Sequence, residues 1–261
     1  MTRVLAIGLN TFREAIRNKV LYVLLFFAIA LILSALAVAQ ISLQEDARIV
    51  RDLGLGGISV FGVVIAIFVG TNLVYKELDR KTVFTILPKP LYRHEFVLGK
   101  FVGICLTLLV QVVLMTLVLF GVMLIERLGI EGAVVRAVVL IYLEILLITA
   151  LAVFFSTFST PLLSALFTAG LFVVGRSVGE IQELMKRAEG PVLAILTVVT
   201  KVVPDLRLFY VSGAMLNNQP ISVHQAFVGW GYVGQAAVYS LGYATVALVL
   251  ASVFFARRDF T

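Results

Sequence analysis

A single cysteine, Cys105, stands in a chain of 261 residues, so no internal disulfide forms and a thiolate metal cluster lacks its second ligand. Charge is scarce: Asp, Glu, Lys and Arg make up 14%, roughly half the ~25% of a soluble domain. That shortage excludes an ordinary water-soluble globule. The other side of it, 61% hydrophobic residues at a mean hydropathy of +1.07, excludes disorder. Only two histidines occur, His94 and His224. They are too far apart in sequence to join Cys105 in an evident metal site or nucleophile pair. The chain has no G-x-x-x-x-G-K-[ST] and no H-E-x-x-H; Gly99-Lys100 lacks the earlier glycine and is followed by Phe101. No internal repeat is visible, which argues against two inverted halves.

Long charge-free runs are present in their place. A helix crosses the hydrocarbon core in about 20 residues, so the length predicts six spans and leaves no room for a soluble catalytic domain. They are expected at 20–39, 55–75, 101–125, 134–155, 161–178 and 230–256. Charge is absent from Ile145 to Gly175, too long for one crossing, and Pro161 cuts it, because proline starts helices and rarely sits inside them. Continuous apolar runs, rather than alternating ten-residue segments, select helices over a barrel. The fold class expected is all-α, polytopic. Ala37 and Ala39 resemble a signal-cleavage pattern, but the run from Val20 to Ala39 exceeds a signal peptide's ~7–15 apolar residues.

With the N-terminus inside, the inner segments carry 12 Lys and Arg against five acids, and the outer ones nine against nine. This asymmetry follows the positive-inside rule, so the net charge of +6 reflects orientation rather than nucleic-acid binding. A multi-pass protein of a bacterial inner membrane, both termini cytoplasmic, is expected, with residues 257–261 as an inner tail.

Residues 1–19 form an amphipathic helix at ~100° per residue. Leu5, Leu9, Phe12 and Ile16 share a stripe, and Arg3, Asn10, Glu14 and Arg17 lie away from it. Such a helix lies in the headgroup plane on anionic lipid, as an anchor or as a collar for a cytoplasmic partner. Residues 76–100 form the longest inner segment, stopped by Pro88 and Pro90. Val83, Phe84, Ile86, Leu87, Leu91, Tyr92 and Phe96 are mixed there with six bases, which suits a folded elbow with a protein-docking face. Residues 179–229 are expected to form interfacial or re-entrant helices at the outer surface.

The elbow resembles the cytoplasmic loop of ABC-2 type permeases, the membrane subunits of one class of ATP-binding-cassette transporter. Glu77, Thr82, Leu87, Pro90, Arg93, Gly99 and Lys100 follow that family's order, with Lys81 where a glycine usually precedes the threonine. The helix at 1–19, the six spans and the "FFARRDF" ending extend the resemblance over the whole chain; permeases of nitrous oxide reductase maturation clusters are similar in layout. The resemblance implies a separate ABC ATPase subunit, holding the ATP and magnesium, docked on a coupling helix from Tyr92 to Leu98. Candidate docking residues are then Glu77, Thr82, Leu87, Pro90, Tyr92, Arg93, His94, Glu95 and Phe96. Phe12, Arg13 and Arg17 of the interface helix lie beside them. It also implies a second permease copy or homologue, a permease without enzymatic activity or cofactor of its own, and export as the usual direction.

Glu144 lies within the fourth span, where an acid costs about 2.5–3.5 kcal/mol to insert and marks a functional site by default. Gln111, Thr116, Asn72 and Thr168 are its candidate partners, and Gln111 joins it as a possible pathway or interhelical polar group. Arg176, near the outer end of span five, is expected to snorkel. Gly99–Gly103 and Gly175–Gly179 are small-xxx-small pairs suited to close helix approach, including an interface between copies. Two other functions fit the residues: a proton-coupled carrier using Glu144, and a scaffold relaying ATPase motion to a periplasmic partner.

Overall fold

Apolar runs in a bilayer close their backbone hydrogen bonds within helices, because lipid offers no partners. The computed structural model describes residues 3–39, 46–79, 93–129, 131–210, 212–216, 219–222 and 229–257. Its helices are α1 (Arg3–Ile16), α2 (Lys19–Ala39), α3 (Asp46–Asp79), α4 (Arg93–Ile125) and α5 (Gly132–Ser156). They continue with α6 (Pro161–Arg176), α7 (Val178–Met185), α8 (Pro191–Val202) and α9 (Trp230–Arg257). A 3₁₀ turn (Leu206–Phe209) and an antiparallel hairpin, β1 (Ser212–Leu216) with β2 (Gln219–Ser222), separate α8 from α9. Among the described residues α2, α3, α4, α5 and α9 are long and apolar enough to cross a membrane, and α6 and α7, bent by 60° where they meet, pass the same test only as a pair, which gives five or six spans. The chain is an all-α polytopic membrane protein, to which the short hairpin adds no layer.

α5 is the central post and packs against α3, α4, α6 and α9. α3 runs parallel to it and turns small residues toward it: a Cβ on Gly62 would strike Ile145, and one on Gly70 would come within 2.9 Å of Ala152. α4 is tied to α5 where Tyr142 donates to the Cys105 carbonyl at 3.1 Å, and α9 where Ser240 donates to the Leu143 carbonyl at 2.7 Å. The outward faces of α2 and α9 expose residues such as Phe26 and Val238, as lipid-facing helices do.

The second span's helix starts at Asp46 rather than residue 55, and its 34 residues extend about 51 Å against a ~30 Å core. The added turns lie beyond the apolar run, where Arg48 pairs with Asp52 at 3.7 Å and Arg51 with Glu131 at 2.7 Å. α6 has 16 residues, about 24 Å, which is short of a full crossing. Ser177 ends it, donating its N–H to the Val173 and Val174 carbonyls, and α7 departs at the bend.

At the end of the bundle away from the α3–α4 connection, α7 and α8 pair, and α8 buries none of its residues. The 3₁₀ turn behaves differently: it is wedged into the bundle, with Leu206 and Phe209 fully buried. The Asp205 N–H donates to the Tyr239 hydroxyl at 2.8 Å, and Tyr232 donates to the Leu208 carbonyl at 2.7 Å. Arg207 is gripped by Asp205 at 2.6 and 2.9 Å and reaches Gln182 of α7 at 3.2 Å. Asp205 and α7 therefore hold the turn from one side and the α9 tyrosines from the other. Tyr239→Phe strands the Asp205 N–H and is expected to lower stability by about 1 kcal/mol, read by thermal unfolding in detergent; an unchanged midpoint would contradict the pinning role.

Candidate functional site

Two places concentrate polar chemistry: the seam between α1 and α4, and a charge cluster inside the spans. At the seam the buried face of α1 is Gly8, Thr11 and Ala15, a stripe of small residues. Opposite them stand Gly99 and Gly103 of α4. A Cβ on Gly99 would meet Ile7 at 2.7 Å, and one on Gly103 would strike the Gly8 carbonyl oxygen and lie 2.6 Å from Thr11. The Gly99–Gly103 pair, a candidate for an interface between copies, is therefore filled by the protein's own N-terminal helix. Two ion pairs flank it, Arg3 with Glu95 and Glu14 with Lys100, each at 3.6 Å. Lys100 is almost wholly buried and its ammonium lies 5.9 Å from the Phe96 ring, which stacks on Phe255 at 5.7 Å. Arg3 and Glu14, which lie away from the apolar stripe, thus bind α4.

At ~100° per residue α1 carries three sectors. Gly8, Thr11 and Ala15 face α4. Leu5 and Leu9, 46% and 37% exposed, lead an apolar stripe about 100° round, with half-buried Phe12 and Ile16. Asn10, Arg13 and Arg17 line a polar cleft with Glu14 about 100° further on. Arg13 and Arg17 are exposed. Of the elbow candidates, His94 is exposed, Glu95 half-buried and Phe96 buried. Glu77 and Arg93 are described as helical backbone only, and Thr82, Leu87, Pro90 and Tyr92 lie outside the described residues.

Inside the spans Glu144 is fully buried at the middle of α5. Arg176 grips it as a fork, Nε to Oε1 and Nη2 to Oε2, both at 2.9 Å. Ser59 of α3 donates to Oε2 at 3.0 Å and accepts from Arg176 Nη2 at 2.6 Å. The guanidinium lies 4.3 Å from the Tyr210 ring and 5.2 Å from that of Phe172. Bidentate geometry and aromatic faces are what arginine uses to hold a carboxylate away from water. Arg176 does not snorkel, because α6 is too short to carry it to the headgroups. None of the candidate partners of Glu144 is among the groups that bind it. Thr116, Thr168 and Asn72 donate to carbonyls of their own helices. Gln111 is buried with neither amide atom bonded among the described residues. The sequence signal available was position: Arg176 is the first charge after the long charge-free run that Glu144 precedes.

Gly175–Gly179 also accepts the chain's own residues: a Cβ on Gly175 would lie 2.8 Å from the Pro204 carbonyl and from Leu206, and one on Gly179 2.7 Å from Arg207. The run Gly175-Arg176-Ser177-Val178-Gly179 also has the letters G-x-S-x-G of a nucleophile elbow. Ser177 sits at a bend between helices instead of the strand-to-helix turn that the motif needs, so the letters lack their structural context.

A family model for ABC-2 family transporter proteins matches residues 5–260. The chain belongs to that family. A search of the curated proteins returned no match. Family membership makes this chain a transport membrane subunit rather than an enzyme, and the close seam at Gly99-Lys100 gives a physical reason for the Gly-Lys that opens the permease's third span. Glycine admits α1, and the lysine neutralises Glu14.

Removing one partner of a buried ion pair leaves the other unsolvated, so Glu144→Gln and Arg176→Gln are each expected to cost about 3–5 kcal/mol. The double variant Glu144→Leu/Arg176→Met should stay near the parent in thermal unfolding. Singles as stable as the double would refute the pairing. Gly103→Leu overpacks the seam and should raise trypsin cleavage at Arg13 and Arg17 about tenfold; unchanged cleavage would mean α1 is not held there.

Proposed function

We propose that this chain is the inner-membrane subunit through which a separate ABC ATPase drives translocation, with export as the direction the family favours. Both termini and the α3–α4 connection are cytoplasmic in this reading, as the basic residues at that end favour. The ATPase brings the ATP and magnesium, and two copies of the permease, or this chain and a homologue, complete the transporter.

The observation that carries the proposal is the clamp between α1 and α4. The helix leaving the elbow and the N-terminal helix move as one body, because glycine contact and flanking ion pairs leave no room to slide. Of the three sectors of α1, one is taken by α4 and one by lipid. The third, Asn10, Arg13 and Arg17, is turned away from both, toward water, and fits an acidic surface on the ATPase. The elbow residues Glu77, Thr82, Leu87, Pro90, Tyr92, Arg93, His94, Glu95 and Phe96 supply the rest of the docking face. ATP-driven closure of the ATPase pair then tilts α3 and α4 together. Ser59 of α3 takes part in the Glu144–Arg176 cluster, so the tilt reaches the far end through Tyr210. This is a population shift between two packings, and the permease breaks no bonds.

That last link also favours a second reading, in which the motion is delivered to a periplasmic partner on residues 179–229. The proton-coupled alternative has less support, since Arg176 and Ser59 occupy both oxygens of Glu144.

The test is co-purification with the cognate ATPase. Arg13→Glu/Arg17→Glu and, separately, Arg93→Glu should each cut ATPase recovery about tenfold, the effect of ~1.4 kcal/mol of lost docking. Leu5→Ala/Leu9→Ala should leave recovery intact. Full recovery with both charge-reversed proteins would overturn the docking face.

A further inference from the structure

We infer that the N-terminus of α5, together with Arg51 and Arg136, is a binding site for a phosphate group. It lies at the end of the bundle that carries the α4–α5 connection. A helix N-terminus leaves its first amides without intrahelical acceptors, and a capping side chain ordinarily supplies one. The cap residue of α5, Glu131, makes no such bond. Its carboxylate turns instead to α3 and accepts from Arg51 Nη2 at 2.7 Å. Gly132 follows. Apart from its chain neighbours and its own helix backbone, a Cβ there would meet only Arg136 Nη1, at 3.4 Å. The Arg136 side chain thus runs back over the first turn toward the N-terminus, as helix side chains do.

Both arginines keep donors in reserve. Arg51 is only 8% exposed, yet its Nε is buried without a hydrogen-bond partner among the described residues. Arg136 Nε is buried in the same condition, and Arg136 forms no hydrogen bond or ion pair among those residues. Two guanidiniums and the positive end of a 25-residue helix therefore meet a single carboxylate, whose side chain is 54% exposed and can swing into water. On α3 the neighbouring Arg48 and Asp52 pair with each other. A buried donor without an acceptor is costly, and a group with several oxygens satisfies more of these donors than one carboxylate does. Phosphate fits that need, since arginine donates to it in pairs and helix N-terminal amides bind it. Arg51 stands two residues before the apolar run that starts at Leu53, at the depth of lipid headgroups. A headgroup and free phosphate present the same chemistry there.

The experiment follows hydrogen exchange of peptides covering 131–138 in the full chain, purified in detergent. The probes are inorganic phosphate, short-chain phosphatidylglycerol, and sodium chloride at matched ionic strength. Phosphate or phosphatidylglycerol should slow exchange about tenfold at ten times its half-saturating concentration, and chloride should not. Slowing by phosphatidylglycerol alone makes the source a lipid headgroup; slowing by inorganic phosphate makes it the free ion. Arg136→Gln breaks no bond among the described residues, so it should keep the parent's unfolding midpoint. It should raise the half-saturating concentration about fivefold, the factor expected from one basic contact. Glu131→Gln removes the competing carboxylate and should lower that concentration by a similar factor, which a purely structural Arg51–Glu131 pair would not do. Exchange indifferent to both phosphate probes overturns the proposal. So does slowing matched by chloride, meaning screening only, or slowing that Arg136→Gln leaves unchanged.

Discussion

A carboxylate at the middle of a membrane helix has no water to share its charge with, and whatever neutralises it must be brought there by other parts of the chain. Glu144 meets that constraint with a guanidinium from α6, a hydroxyl from α3 and an aromatic face from the segment after the 3₁₀ turn. Satisfying one residue fixes the relative placement of three helices and an extramembrane segment. It also sets the length of α6. A full-length crossing would carry Arg176 past its partner, so the helix stops after about 24 Å and the chain bends. The bend starts α7, and Gly175 and Gly179 make room for the turn that carries Tyr210 into place. An apolar core alone is a weak guide to register among membrane helices, because lipid is as good a solvent for leucine as a neighbouring helix is. A charge pair supplies the missing specificity.

At the other end the same solvent imposes a different solution. Leu5 and Leu9 of α1 stay exposed, so their burial is not what joins it to α4. It binds through backbone proximity at Gly8, Gly99 and Gly103, where dispersion and carbonyl contacts act at short range, and through Arg3–Glu95 and Glu14–Lys100. The apolar stripe and the packing face of α1 are consequently different sides of the helix. The proposed coupling needs such a joint, because force applied to a flexible collar would be lost before it reached a span.

The spans were legible because each is a local property: about 20 apolar residues in a row, broken by Pro161 or by a charged loop. The amphipathic character of residues 1–19 and the weight of basic residues at one end were legible for the same reason. The pairing of Glu144 was not, since its partners lie 32 and 85 positions away and none of the residues flanking them marks the meeting. Gln111 and Thr168 offered equally suitable chemistry on paper. The face of α1 that packs on α4 could not be read from its apolar stripe, because that stripe marks an interface with the membrane and says nothing of helix contact. In a membrane, small residues mark helix contact. Gly8, Thr11 and Ala15, three and four apart and matched by Gly99 and Gly103, were the signal that would have shown it.

What the amino-acid order settled by itself was the solvent and the secondary structure: a chain this poor in charge enters a bilayer, and in a bilayer its runs become helices. It settled too which ends of those helices are basic. Only the folded bundle decided which glycines would receive a helix, which arginine would meet the buried acid, and which side of α1 would stay exposed. Those outcomes depend on contacts between segments distant in sequence, where several candidate groups have the same chemistry and packing geometry alone chooses among them.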